Sequence, residues 1–148
     1  MDFINSMEIS ASGLSAQRTR LNIISQNIAN ANVTRTAEGG PYRRQISVLS
    51  AAPFVSHLTQ ALDHPLYRTD PRRGVLVNEV KTDPSPFKRV YDPAHPDADD
   101  EGYVNMPNVE LVTEMTNLIN AARSYDANVS AVQASKNMAM KALEIGRA

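Results

Sequence analysis

The chain has 148 residues, enough for one compact domain that buries about two-thirds of its unfolded surface. Its formal net charge of -1 supplies no basic field to hold a nucleic-acid backbone, so nucleic acid is not expected as a partner. Cysteine is absent, which excludes disulfides and thiolate metal sites and makes the protein indifferent to the redox state of its compartment.

The opening stretch MDFINSMEIS has no basic n-region, no continuous apolar core and no small-residue cleavage site. No run approaches the length of a membrane span, so direct membrane insertion is not expected, and any export should bypass the general secretory route. Eight of the nine prolines lie between Pro41 and Pro96, and the ninth is Pro107. An interior proline removes a helix hydrogen bond and clashes with the preceding turn, so long helices are expected only at the two ends.

Residues 1–36 form the first segment. Met7, Leu14, Leu21 and Ile28 recur every seven residues, with Ile4, Ala11 and Ile24 at most complementary positions and Arg18 interrupting them. This predicts a helical seam about three heptads long. A parallel row of Ile9, Ala16 and Ile23 widens the apolar surface beyond what one helix contact uses. Gly13 costs about 1 kcal/mol against alanine unless close helix approach repays it. Asn27, Asn30 and Asn32 read as a fraying C-terminal end that tolerates left-handed backbone.

The middle, residues 37–107, alternates short β-like runs with turns. RRQISVLS, GVLVNEV and FKRVYD show period-two patterning, and EGGPYRR, TDPRRG and TDPSP are turn sequences. A small antiparallel β-domain is predicted, with the acidic stretch 92–101 as a mobile loop. His57, His64 and His95 are scattered without the spacing of a zinc site. Asp97, Asp99, Glu101 and Gly102 match positions of a calcium loop, but Asn108 stands where the bidentate glutamate belongs, so a solvated acidic turn is the expectation. The basic stretches YRR, DPRRG and FKR are interleaved with acids and read as solvated surface, with charge-matched subunit contacts as the alternative.

Residues 108–148 give the cleanest pattern. Leu111, Met115, Leu118, Ala122, Tyr125, Val129, Val132, Lys136, Ala139 and Leu143 alternate spacings of four and three. Asn108 after Pro107 is the expected N-cap, with Glu110 in the first turn. Val112, Ile119 and Met140 widen this stripe as well.

Two striped helices with no other partner are expected to pack on each other, because an isolated helix is marginal in water. The predicted fold is α+β: terminal helices paired as a coiled-coil stalk carrying a small β-domain. The excess width of both stripes predicts apolar surface that only further subunits can cover. Leu14, Leu21, Ile24, Ile28, Leu111, Ala122, Val129, Val132 and Leu143 are the candidate interface positions from this patterning. No catalytic constellation occurs, so neither enzymatic activity nor a cofactor is expected. A soluble export chaperone or adaptor, whose stripes hold a different client, is the competing class.

SGLSAQRTRLNIISQNIANANVTRT followed by GGPYRR, together with GYVNMPNVELVTEMTNLINAARSYDANVSAVQASKNMAMKALEIGR, resembles the flagellar rod and hook family of bacteria. The resemblance implies a structural subunit of the basal-body proximal rod, with no enzymatic activity, assembling through its terminal helices into a helical tube that transmits torque. It implies unprocessed export through the flagellar type III apparatus and residence in the periplasmic rod. The implied partners are other rod proteins, copies of itself and the MS-ring or rod-base proteins. By the same resemblance, Asn27, Ala29, Asn30 and Asn32 carry an assembly role, and Met115, Leu118, Tyr125 and Asn128 carry packing roles.

Overall fold

The structure is a computed structural model describing residues 3–51 and 74–146, with side-chain environments described from Ser6 onward. His57, His64, most of the TDPRRG turn and the side chain of Ile4 lie outside the described residues. Helix α1 spans Phe3–Ala29, strand β1 Gln45–Ala51, β2 Val75–Thr82, β3 Lys88–Tyr91, β4 Tyr103–Met106, and helix α2 Leu111–Ile145. The proline-free ends are the helices, and the α+β class follows. None of the described helices is long and apolar enough to cross a membrane.

The two helices pack antiparallel: Gly13 of α1 faces Asn128 of α2, and Asn27 of α1 faces Glu114. The line of burial differs from the expected stripes. On α1 the buried residues are Ala16, Ile23, Ile24 and Asn27, whereas Met7, Leu14, Leu21 and Ile28 are half-buried. On α2 they are Glu114, Ala121 and Ser135, seven residues or a multiple of seven apart, with half-buried Asn128 in the same row. A Cβ on Gly13 would stand 3.1 Å from the Asn128 amide nitrogen. Small side chains on both helices thus bring the axes close, and the larger leucines and valines flank the contact line.

The middle forms two separate antiparallel ribbons rather than one sheet. In the first, Gln45 pairs with Thr82 and Ala51 with Val75, with an irregularity between Val48 and Leu49. This ribbon lies against α1, where Ser12 Oγ accepts from the Val75 N–H at 3.1 Å. In the second, Lys88 pairs with Met106 and Tyr91 with Tyr103.

Two local expectations need correction. Asn108 is not the N-cap: Glu110 holds that position without a side-chain cap bond. Asn108 instead accepts from the Arg44 N–H at 2.8 Å and donates to the carbonyls of Asp83 and Ser85, tying the two ribbons together. The acidic stretch 92–101 is folded as consecutive turns. Asp99 Oδ1 accepts from the N–H groups of Glu101 and Tyr103, which holds the carboxyl below its ordinary value of 3.8 with help from Arg89. Gly102 closes this loop at φ 78°, where a Cβ would stand 3.0 Å from the Tyr91 ring. Asp97 accepts from Thr34 Oγ1 at 2.8 Å, docking the loop onto the segment after α1.

Candidate subunit interface

Beneath the surface, a polar network sets the relation between the helix pair and the first ribbon. Asn27 does not fray. It lies inside α1, is 1 % exposed, and uses both ends of its amide. Its Nδ2 donates to the Gln45 carbonyl at 2.8 Å and to Glu114 Oε2 at 3.0 Å. Its Oδ1 accepts from the Gln45 N–H at 2.9 Å and from the Tyr42 hydroxyl at 3.0 Å. The turn after α1 delivers these partners: Asn30 Nδ2 donates back to the Gln26 carbonyl, and the Tyr42 N–H donates to the Val33 carbonyl.

Glu114, also 1 % exposed, accepts at Oε1 from Arg44 Nη2 at 2.6 Å and Nε at 2.9 Å. Arg44 Nη1 reaches Asp83 at 3.3 Å. Burial pulls the Arg44 guanidinium down, but its bonds and charge attraction to Glu114 and Asp83 outweigh this and leave it raised. Burial lifts the Tyr42 phenol above 10.0, and the Glu114 carboxylate adds to that. Asp83 is held below 3.8, chiefly by the Ser85 hydroxyl and N–H and then by Arg44. The YRR stretch is therefore not merely solvated surface: Arg44 points inward, and Arg43 lies over the Phe87 ring at 4.3 Å. Sequence reading missed Glu114 and Arg44; the one available signal was an acid interrupting the apolar run VELVTEM.

The outer surface carries the apolar residues left over. With α2 turning by about 100° per residue, Leu118 lies about 40° from the Glu114 row, Met115 about 100°, and Ile119 and Val112 about 140–160°. Only the first part of this arc touches α1. Val112 is 72 % exposed, Met115 53 % and Ile119 51 %. At the far end, Met138, Met140, Leu143 and Ile145 are also exposed. Pairing within one chain therefore leaves two exposed apolar patches on α2, one over its first turns around Val112, Met115 and Ile119 and one near its end.

The sequence-derived interface positions fall into three groups. Ile24 and Asn27 are consumed inside the subunit, so their contribution to assembly is through the fold rather than by contact. Leu14, Leu21, Ile28 and Asn30 of α1 and its end, with Leu118, Ala122, Tyr125, Val129 and Val132 of α2, are half-buried along the flanks of the pair, and half-buried Asn128 lies in the contact row against Gly13. Ala29, Asn32, Leu111, Met115 and Leu143 are exposed. Asn32 and Leu111 share a groove of about 570 Å³ where α1 ends and α2 begins.

These two helices are also the parts of the chain that known families recognise. The family model described as "Flagella basal body rod protein" matches residues 7–35, most of α1 and the turn after it. The model described as "Flagellar basal body rod FlgEFG protein C-terminal" matches residues 100–145, which hold β4 and all of α2. The flagellar basal-body rod protein FlgC of Borreliella burgdorferi is 42 % identical over 98 % of this chain and 98 % of its own length. FlgC of Bacillus subtilis is 42 % identical over 99 % of this chain and its own full length. FlgC of an Escherichia coli O6:H1 strain is 38 % identical with the same coverage.

The chain belongs to the flagellar basal-body rod protein family. Membership of this rod family places the packed helix pair at the family-defining part of the molecule. The family is structural, and no catalytic activity is indicated. The competing chaperone or adaptor reading draws no support from these matches.

Proposed function

We propose that this chain is a structural subunit of the proximal rod, and that the outward face of α2 is where neighbouring subunits cover it. The observation that carries this reading is the exposure of Val112, Met115 and Ile119 on a helix that lies wholly within the family-matched segment. Fully burying a large aliphatic side chain contributes about 1.5–3 kcal/mol, so covering three of them gives a subunit contact a substantial driving force. A heterologous contact that rotates and rises without closing builds a helical tube, the form suited to transmitting torque. In this reading residues 1–36 and 108–148 make the axial core, and residues 37–107 are held on it by the Asn27–Glu114–Arg44 network.

The further parts of the proposal follow from family membership: unprocessed export by the flagellar type III apparatus, residence in the periplasmic part of the rod, and contact with other rod proteins and the MS-ring or rod base. The lack of cysteine is compatible with an oxidising destination. No enzymatic role or cofactor enters this reading. Deleting the gene and complementing it with the Ile119→Asp variant tests it. Motility and the presence of the chain in purified basal bodies are expected to be lost together, while wild-type motility would overturn the interface assignment.

A further inference from the structure

One residue on the contact row of α1 does not suit a close helix approach. Gly13 faces Asn128 and Asn27 faces Glu114, so Arg20, midway between Gly13 and Asn27, stands level with Ala121, which is 0 % exposed. A guanidinium cannot enter a contact that tight. The half-buried Arg20 side chain instead lines a cleft of about 300 Å³ between α1, the start of α2 and strand β1.

The charges in this cleft do not balance. Two cations line it, Arg20 and Arg44, against one carboxylate, Glu114. Both oxygens of Glu114 are taken, Oε1 by Arg44 and Oε2 by the Asn27 amide, and Arg44 has Asp83 as a second partner. Among the described residues, Arg20 has no ion pair and no side-chain hydrogen bond. The half-buried side chains of Ser47 and Asn117, which line the same cleft, are likewise without a hydrogen-bond partner there.

One uncommitted guanidinium beside a filled ion pair suits a single negative charge, and its planar fork matches a carboxylate in two parallel bonds. A phosphate dianion would meet only this one free cation, with the Glu114 charge close by. The remaining walls, Ile23, Ile24 and Leu49 with Ile46 at 38 % exposure, suit the short aliphatic stem of an acidic side chain. A free small carboxylate held by one exposed ion pair gains little in water. The same group on an adjacent subunit is presented at high effective concentration, and arginine is favoured as an interface anchor.

We infer that the cleft around Arg20 receives an aspartate or glutamate side chain of an adjacent rod subunit, with Ser47 and Asn117 as further donors. The inference rests on the reading of the chain as a rod subunit. This contact lies between the helix pair and the first ribbon, apart from the lateral cover of Val112, Met115 and Ile119.

The test treats purified basal bodies containing the full-length Arg20→Lys variant, which keeps the charge and supplies an amine, with a water-soluble carbodiimide. The reagent joins an amine to a carboxylate only where the two are in contact. The expected product, seen as a band of higher mass and sequenced by mass spectrometry, joins position 20 to an acid of a neighbouring rod subunit. A crosslink within one chain, or none although the variant is present in the rods, overturns the docking and leaves the rod assignment standing. Absence of the unmodified chain from purified rods overturns both.

Arg20→Met decides the question without a crosslink. Its content in basal bodies is expected to fall by about tenfold or more, the effect of removing one partner of a buried charge pair. The thermal midpoint of the free chain should stay unchanged or rise, since Arg20 has no partner in the subunit to lose. Full basal-body content, or a lowered midpoint, contradicts the inference. Sodium propionate that raises the midpoint of the wild-type chain but not of Arg20→Met, with that variant fully motile, would assign the cleft to a small free carboxylate and overturn the neighbouring subunit as its source.

Discussion

Asn27 and Glu114 lie 87 positions apart in the chain, yet the Asn27 amide donates to the Glu114 carboxylate at 3.0 Å with both side chains 1 % exposed. Through Asn27 the same contact reaches the backbone of Gln45, and through Glu114 it reaches Arg44. One buried cluster therefore fixes the register of the helices and the seat of the first ribbon together. A buried polar network of this kind specifies geometry because its members have no adequate alternative partners.

Replacing Asn27 with alanine strands the Gln45 N–H and C=O and one Glu114 oxygen. The variant is expected to lose about 3 kcal/mol of stability, measured by urea denaturation of the free chain. Asn27→Asp keeps the acceptor but sets a second carboxylate beside Glu114, and should be at least as destabilising at neutral pH. Either variant matching wild type would remove the network from the account.

Breaking the ion pair by Glu114→Leu leaves the Arg44 guanidinium without its main partner and should cost about 3–5 kcal/mol. Combining it with Arg44→Met should recover much of that loss, because an apolar pair of similar bulk needs no compensation. Additive losses in the double-mutant cycle would show that the two residues do not act on each other.

Gly13→Ala tests the close approach of the helices. In an open helix position the exchange gains about 1 kcal/mol, but here the new methyl meets Asn128 at 3.1 Å. The gain is expected only in an Asn128→Ala background. A gain in the wild-type background would mean that the axes are not held together at this point.

Stability should be flat through neutral pH and fall at both extremes. Asp83 and Asp99 have folded values depressed below 3.8, so their contribution is present above that value and is lost as pH falls through the depressed values. Tyr42 has a folded value raised above 10.0, so its contribution is present below 10.0 and is lost as pH rises through the raised value. Tyr42→Phe should flatten the alkaline limb alone, as followed by denaturation midpoints across pH.

Much of the fold was legible in the chain because the prolines confine helices to the ends, and strands β1, β2 and β3 each begin inside an alternating run, with β1 and β2 continuing one and two residues past it. The contact line was not. Periodicity weights leucines and isoleucines, so it selected Leu111, Leu118, Tyr125 and Val132, whereas the helices touch through Glu114, Ala121, Asn128 and Ser135. Small and polar residues at a seam carry no hydrophobic signal, and only the facing helix reveals what they do. The same holds for Asn27, whose type suggests a frayed helix end until Gln45 and Glu114 are brought beside it. The widened stripe, by contrast, was readable from Val112 and Ile119, because apolar residues beyond one contact's width have to face something.

The most direct test of the central claim follows Met115, which is 53 % exposed in the single chain. Peroxide oxidation of this side chain, quantified by mass spectrometry, should be rapid in the purified subunit and strongly suppressed in intact basal bodies. Equal oxidation of Met115 in both states would mean that no neighbour covers the outward face of α2, and would contradict the account.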